Sequence, residues 1–240
     1  PVCSSAASDV YKRQVLGDDL MTEKSKFSEL NTKEMYSNED FPAEDKIASI
    51  NAYLGAFPIA EALKSGADIV ITGRSVDSAV TLGACIYAFG WNEKEYDKLA
   101  AGSLAGHIIE CGTQSTGGNF TDWELVSKDL HQIGYPIVEV SEDGSFDCTK
   151  SKNSTGMVSF GTVAEQMLYE IGDPQAYILP DVICDFSNVK IEETEKDKVK
   201  ISGAKGYPAP NQYKVCATYA DGFRAGHVCS FVGIDAAKKA

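Results

Sequence analysis

The chain has 240 residues, and its 22 Lys and Arg against 35 Asp and Glu give a formal net charge of −13. This acidity argues against nucleic acid or an anionic membrane surface as a partner, because both are negatively charged. With 43% hydrophobic and 24% charged residues, the composition is that of a globular protein rather than a disordered one. No stretch reaches the roughly 18 consecutive apolar residues of a membrane-spanning helix.

The cysteines point to a reducing compartment. There are seven, with no Cys-x-x-Cys pair, at positions 3, 85, 111, 148, 184, 216 and 229. This spacing argues against a structural zinc site, and an odd, dispersed set does not suit a disulfide scaffold. We therefore expect a reduced, cytoplasmic protein.

The first fourteen residues, PVCSSAASDVYKRQ, show no periodicity and lack the apolar segment of a signal peptide. They resemble a translated sequencing-adapter junction, a string found at the ends of unrelated metagenomic gene calls. We predict that residues 1–14 are non-native and leave them out of the fold; the alternative is a genuine disordered N-terminus. The natural chain would then continue upstream of Val15, and the abrupt ending at Ala240 predicts a fragment at that end too.

The clearest fold signal lies in the first half of the chain. A helix starting at Phe57-Pro58 precedes an apolar run at residues 67–72, which predicts a strand buried on both faces. A glycine turn at residues 73–78 and a second helix at residues 79–90 follow. Helix, buried strand, glycine turn and helix together predict a parallel α/β sheet, in which ligands bind at the carboxyl ends of the strands.

The second half changes from helical to β-rich. Residues 98–111 predict a helix whose Gly102 and Gly106 let another element approach closely. Further elements are predicted after it, with strands at 136–140, 146–149, 182–186, 189–192, 199–202 and 213–219 and a helix at 157–171. The predicted class is α/β, with a parallel sheet and flanking helices over about 15–135, followed by a β-rich α+β portion over about 136–240.

The turn at residues 73–78 is the first candidate site. Its backbone amides precede a helix N-terminus, which favours anions, and Arg74 can bind phosphate or carboxylate in a bidentate manner. Gly73, Arg74 and Ser78 are its candidate binding residues, and Asp77 is a candidate acid–base group. The alternative is an Arg74–Asp77 pair that only braces the turn. The spacing matches neither the P-loop nor the dinucleotide-binding glycine motif.

A second candidate lies at the end of the helix at residues 98–111. His107, Glu110 and Cys111 share one helical face, and a cysteine near a histidine is the composition of an activated thiolate nucleophile. Cys111 is therefore a candidate nucleophile and His107 a candidate acid–base residue. The alternative is a packed cysteine and a hydrogen-bonded histidine, because a catalytic histidine usually comes from another element.

A Gly/Ser/Thr-rich loop at residues 112–122 is the third candidate. Its glycines allow backbone amides to converge on an anion, and Asp122 can act as a base. An ordinary structured loop is the alternative. The candidate binding residues in this loop are Thr116, Gly117, Gly118 and Asn119.

Acidic residues and histidines elsewhere in the chain also have side chains of the types that bind metal ions. Asp18 and Asp19 directly follow a predicted strand, so they are candidates for contact with a polar substrate or divalent ion, with helix capping as the alternative. His131 and His227 have no partners at metal-binding spacing. The sequence assigns no metal site and specifies no cofactor.

Several stretches together resemble the acyclic terpene utilisation protein family. The longest is NAYLGAFPIAEALKSGADIVITGRSVDSAVTLGACIYAFGW at residues 51–91, and four more follow in order at residues 99–124, 134–146, 163–186 and 201–224. The resemblance runs from about Val15 to the end of the chain. Gly73, Arg74, Asp77 and Ser78 keep the family's frame, whereas the family usually has a small apolar residue at Ser75 and alanine at Val76.

The resemblance implies a pathway but no defined reaction. Family members are named for bacterial growth on citronellol and geraniol, in a context of acyl-CoA breakdown with a biotin carboxylase and acyl-CoA dehydrogenases. Intact ECG and TGGNFTDW elements, at residues 110–112 and 116–123, imply that both polar loops form one site.

Two hypotheses follow. In the first, the protein is an enzyme of acyclic terpenoid or branched acyl-CoA catabolism, in which Arg74 and residues 112–118 bind an anionic or CoA-linked small-molecule substrate. Asp77, Asp122 or His107 would then perform acid–base work. In the second, it is a non-catalytic binding or assembly subunit that supports a carboxylase or another enzyme of the pathway.

Overall fold

The computed structural model describes residues 10–126, 128–231, 233 and 235–239, which form a mixed α/β fold. The helices are α1 (Lys24–Glu29), α2 (Phe57–Lys64), α3 (Ala79–Phe89), α4 (Tyr96–Glu110), α5 (Phe160–Leu168) and α6 (Ala236–Lys239). The strands are β1 (Lys12–Val15), β2 (Ile47–Ala52), β3 (Ile69–Thr72), β4 (Pro136–Val140), β5 (Phe146–Lys150), β6 (Tyr177–Ile178), β7 (Ile183–Asp185), β8 (Lys190–Glu195), β9 (Lys198–Ser202), β10 (Lys205–Tyr207) and β11 (Val215–Tyr219). No helix among these residues is long and apolar enough to cross a membrane.

The predicted parallel sheet is present, but among the described residues it consists of two strands. β1 pairs with β3 in parallel, with Lys12 opposite Ile69 and Val15 opposite Thr72. Both strands therefore end at the same edge, which brings the segments after Val15 and Thr72 together. In the described residues the parallel sheet does not extend further, so the first half contains a strand pair with helices rather than a wide sheet.

β1 includes residues 12–14, which belong to the stretch that is predicted to be non-native. Their side chains are exposed and only Val15 is buried, so these three residues contribute backbone hydrogen bonds rather than core packing. Backbone pairing depends little on side-chain identity, which explains why no pattern in this stretch predicted a strand. The non-native origin of residues 1–14 stays a prediction.

β3 differs from the strand that its apolar run predicted. Ile69 and Ile71 are 42% and 57% exposed, whereas Val70 packs against the core. The prediction of burial on both faces is therefore wrong for the described chain. The physical reason is that α2 packs on the Val70 side of the strand pair, while the side of Ile69 and Ile71 is left open.

The second half is rich in strands, as predicted, and these strands form antiparallel sheets. One sheet has the order β4-β5-β9-β8 and a smaller one has the order β10-β7-β6. β11 instead returns to the first half and pairs antiparallel with β2, with Val215 opposite Ala52. β2 thus obtains its partner from the far end of the described chain.

Helix α4 is the central element of the core. Its residues from Leu99 to Ile108 are buried, and it packs against α3, α5, β4, β7 and β10. The predicted close approach at its glycines is confirmed, because a Cβ at Gly106 would lie 2.8 Å from Ser78 Cα. The absence of a side chain at Gly106 lets α4 lie directly against the start of α3.

Helix α5 is shorter than the predicted span of residues 157–171. Ser159 and Thr162 form a reciprocal capping box that sets its first residue at Phe160. At the other end Tyr169 is extended and Glu170 adopts a positive φ of 59°, which ends the helix. The periodicity of the sequence extends past both of these local signals.

Candidate functional site

A cleft of about 840 Å³ lies at the edge where β1 and β3 end. The segment after β1, the turn after β3 and the last turn of α4 form its walls, and its lining includes Asp18, Asn51, Arg74, Asp77, Glu110 and Glu170. The volume falls within the range of about 300–1,000 Å³ that is usual for small-molecule sites. Its position agrees with the expectation that ligands bind at the carboxyl ends of parallel strands.

Asp18 holds the turn that carries Arg74. Its Oδ2 accepts hydrogen bonds from the backbone N–H of Arg74 (2.8 Å) and from Asn51 Nδ2 (3.0 Å). The bond from Arg74 is the largest cause of a lowered Asp18 pKa and outweighs the opposing effect of burial. A Cβ at Gly73 would overlap the carboxylate, so glycine is required for this close approach. Asp18 therefore connects β1, β2 and the turn.

Arg74 extends along one wall of the cleft. Its Nη1 lies 3.7 Å from Asp77 Oδ1, and its guanidinium carbon lies 5.1 Å from the centre of the Tyr53 ring. Lys214 Nζ lies 5.4 Å from the same ring. Because the contact with Asp77 is long and both side chains are about half exposed, guanidinium donors remain available to a ligand.

Ser78 does not line this cleft. It is buried against Gly106 of α4, and its carbonyl accepts the first helical hydrogen bond of α3 from Leu82 N (3.0 Å). The structure thus places Ser78 where it fixes α3 against α4. Gly73, Arg74 and Asp77 are the members of the predicted turn site that line the cleft.

The end of α4 forms the opposite wall. His107 is buried, and its Nδ1 lies 2.8 Å from Oε1 of Glu110, which lines the cleft together with Cys111. His107 itself is not among the lining residues, so it contacts the cleft through Glu110. The sequence pattern places Glu110 on the same helical face as His107, but Glu110 was not among the predicted site residues. The i, i+3 spacing of an acid and a histidine was the available signal.

The loop at residues 112–122 does not line the cleft at Arg74. Thr116 is fully buried, and its Oγ1 donates to Thr113 O (2.9 Å) or Gly134 O (2.6 Å). Gly117 has a φ of 100°, and Gly118 and Asn119 are exposed. None of these four predicted binding residues lines the cleft at Arg74. A ligand role for them stays a prediction.

Asp122 is also separate from the Arg74 cleft. It lies with Thr121 and Trp123 along a second, smaller cleft of about 390 Å³. Of the described residues from this loop region, Cys111 at its start is the one that reaches the first cleft. The two polar loops that the resemblance joined in one site therefore border different clefts.

The described cysteines are all free. Burial raises the pKa of Cys85 to about 11 and that of Cys148 to about 12, and it also raises the pKa of Cys184. These thiols are therefore protonated and unreactive at neutral pH. Among the described residues, no group of three or more His, Cys, Asp or Glu side chains is placed to hold a metal ion.

Fold and cleft together define a mixed α/β protein with a polar, carboxylate-rich cleft at the edge of a parallel strand pair. The sequence model described as acyclic terpene utilisation family protein AtuA matches residues 9–240, and the chain belongs to this family. The resemblance stated from the sequence is thereby confirmed, and the family implies a role in acyclic terpene utilisation. Comparison with curated proteins gave no match, and comparison with solved structures gave none either.

Proposed function

We propose that this protein is a cytoplasmic enzyme of acyclic terpenoid or branched acyl-CoA catabolism that binds an anionic or CoA-linked substrate in the cleft at Arg74. The family supports the pathway. The observation that carries the proposal is the position of Arg74, whose half-exposed guanidinium lines a cleft of small-molecule size. The free cysteines are consistent with a reducing compartment.

The charges in and beside the cleft give such a substrate one orientation. Arg74 and Lys214 both lie near the Tyr53 ring, and these two cations offset the negative charges of Asp77 and Asp18 at this end of the cleft. Glu110 and Glu170 line the cleft as well and would repel an anion. The carboxylate or phosphate of the substrate therefore binds beside Arg74, and its uncharged acyl part extends toward the two glutamates.

The other predicted catalytic residues differ in whether they can contact a substrate that is bound at Arg74. Asp77 and Cys111 line the cleft and can contact the substrate, as acid–base group and nucleophile respectively. His107 acts through Glu110. Asp122 and the Thr116–Asn119 segment could contact a distant part of a large substrate, such as a CoA moiety, but not the group held by Arg74.

The test is growth on citronellol of a bacterium that requires the full-length protein for it. Arg74→Ala should abolish growth, and Arg74→Lys should restore only part of it, because lysine keeps the charge but loses the bidentate fork. Arg224→Ala removes an exposed arginine outside the cleft and is the matched control. Wild-type growth of Arg74→Ala would contradict the proposal.

A non-catalytic assembly role is the second candidate, and one observation favours it. The exposed Ile69 and Ile71 on β3 form the kind of apolar surface that another chain can cover. The partner in that case would be a carboxylase or another enzyme of the pathway. Turnover of geranyl-CoA or its hydrated product by the purified full-length protein alone would contradict this role. Activity that appears only with a partner, and survives Arg74→Ala, would support it.

A further inference from the structure

Building on the proposed function, we infer that Glu110 is the carboxylate that exchanges a proton with the substrate in the cleft, and that His107 is the residue that positions it. The inference rests on the proposed function, because it assigns chemistry to the same cleft. It differs from the sequence-based hypothesis, in which Asp77, Asp122 or His107 performed the acid–base step.

The other carboxylates that line the cleft are less suited to this step. Asp18 already accepts two hydrogen bonds that favour its ionised form. The Asp77 side chain is 64% exposed and faces Arg74, whereas the Glu110 side chain is 16% exposed. Glu170 lies on the exposed rim. Among the described carboxylates that line the cleft, Glu110 is thus the one that is both sheltered from bulk water and available for proton transfer.

The two oxygens of Glu110 have different environments. Oε1 is fixed at 2.8 Å from His107 Nδ1. For Oε2, the described part of the chain offers no hydrogen-bond partner. One oxygen therefore orients the carboxylate, and the other remains available to a substrate in the cleft.

The environment of His107 determines which of its nitrogens carries the proton. Nε2 is buried and has no hydrogen-bond partner among the residues that the structure describes, so a proton there would leave an unsatisfied donor in the interior. The favoured tautomer carries its proton on Nδ1 and donates it to Glu110 Oε1. Its ring lies 6.1 Å from that of Tyr177, centre to centre.

This arrangement lets Glu110 gain and lose a proton without a movement of His107. In the forward step Oε2 takes a proton from a substrate carbon or from a water molecule, and the bonding electron pair stays on the donor atom. Oε1 continues to accept the hydrogen bond from Nδ1 in both states. Glu110 later returns the proton, so the residue is unchanged at the end of the cycle.

The end of α4 is held firmly enough for this role. Gln166 Nε2 donates to His107 O (2.7 Å), and Ser115 Oγ donates to Ile108 O. Both bonds satisfy carbonyls of the last helical turn that have no intrahelical partner. The contact between Gly106 and Ser78 fixes the distance of this turn from the Arg74 wall. Ser115, in the loop predicted to bind ligand, thus supports the helix end.

The test compares Glu110→Gln with Glu61→Gln, which alters an exposed glutamate of α2, in the citronellol growth assay with full-length protein. Glu110→Gln should reduce growth at least about 10-fold, since loss of a general base costs about 10²–10⁴-fold in rate. Glu61→Gln should grow as wild type. Affinity of purified Glu110→Gln for geranyl-CoA should stay within about threefold of wild type, because the proton transfer and not the binding is removed.

The positioning role has its own pair of variants. Asparagine at 107 can place an amide donor near the position of Nδ1, whereas alanine cannot. His107→Asn should therefore retain clearly more growth than His107→Ala. His107→Asn should also outgrow His107→Leu, because leucine fills a volume closer to that of histidine but has no donor. A role in packing alone predicts that His107→Leu grows at least as well as His107→Asn, and that result would overturn the assignment of His107.

The variant Glu110→Asp distinguishes a loss of proton transfer from a folding defect, because it keeps the carboxylate. It should grow better than Glu110→Gln at a similar melting temperature, and equal loss of growth with lowered melting in both would overturn the inference in favour of a structural role. Wild-type growth of Glu110→Gln would also overturn it while leaving the proposed function intact. Failure of geranyl-CoA to bind wild-type protein would contradict the proposed substrate, and the growth of Glu110→Gln would still decide the role of Glu110.

Discussion

Two aspartates in this molecule use the same local geometry with opposite electrostatic results. Asp18 accepts the backbone N–H of Arg74, which follows Gly73, and Asp181 accepts that of Ala56 (2.8 Å), which follows Gly55. In each case a Cβ on the glycine would overlap the carboxylate. The hydrogen bonds lower the pKa of Asp18, whereas burial raises the pKa of Asp181.

The difference lies in what surrounds each carboxylate. Asp18 has a side-chain donor in Asn51 and borders the cleft, so its charge is stabilised. Asp181 accepts hydrogen bonds from backbone N–H groups at the start of α2, which lower its pKa. Its burial has the opposite effect on the pKa, and the effect of burial is the larger one. In both places, therefore, an aspartate packed against a glycine anchors the backbone that follows the glycine. Of these two aspartates, however, the one whose negative charge is stabilised is Asp18, which supports the Arg74 turn.

Of the variants that test this comparison, Gly73→Ala should lower the free energy of unfolding the most. The new Cβ would overlap Asp18 Oδ1 and force the carboxylate away from the turn, which should lower the free energy of unfolding by about 3 kcal/mol. Urea unfolding followed by circular dichroism measures it. Gly172→Ala is the control, because nothing lies within 4 Å of a Cβ there. Equal unfolding midpoints for the two variants would refute the anchoring role of Asp18.

Asp18→Ala should cost somewhat less, about 2 kcal/mol at pH 7, because it leaves the donors of Arg74 and Asn51 without their acceptor. Since its folded pKa is lowered, Asp18 contributes stability above its ordinary value of 3.8, and this contribution is lost as pH falls through the folded pKa. The difference between wild type and variant should therefore shrink in acid. A difference that stays constant between pH 7 and pH 3 would contradict this account.

Asp181→Asn should have the smallest effect and the opposite dependence on pH. The raised folded pKa means that Asp181 favours folding at low pH, and this stability is lost as pH rises from 3.8 through the folded pKa. Asparagine keeps an acceptor for Ala56 N without the buried charge, so the variant should be as stable as wild type at pH 7, or up to about 1 kcal/mol more stable. Unfolding midpoints at pH 4 and pH 7 test the sign, and a clear loss of stability at pH 7 would contradict it.

Local patterns in the sequence were sufficient for most elements near the cleft. The helix with Gly102 and Gly106, the glycine turn with Arg74 and the strands around residues 136–202 could be predicted, because each depends on neighbouring residues. The pairing of β2 with β11 could not, since it joins segments that lie far apart in the chain. Nor could the open face of β3, because an apolar run does not reveal how many layers will cover it.

The residues of the candidate site also differ in whether local sequence patterns could predict them. Arg74 and Asp77 could be placed in the cleft because the strand and turn that carry them are local signals. Glu110 was not among the predicted site residues, because the role that we infer for it depends on burial and on the direction of one oxygen, which the packing of α4 determines. The ligand role of the loop with Thr116 stays a prediction, since hydroxyls and glycines look alike in a sequence whether they bind a ligand or satisfy backbone carbonyls.

The most direct test of the central claim, that the cleft at Arg74 is the binding site, is the affinity of geranyl-CoA for the full-length protein and for its Arg74→Ala variant, measured by isothermal titration calorimetry. Charged hydrogen bonds of about 1.5–3 kcal/mol predict that the variant binds about 10- to 100-fold more weakly. Arg224→Ala should bind like wild type. Equal affinity of Arg74→Ala and wild type would contradict the claim.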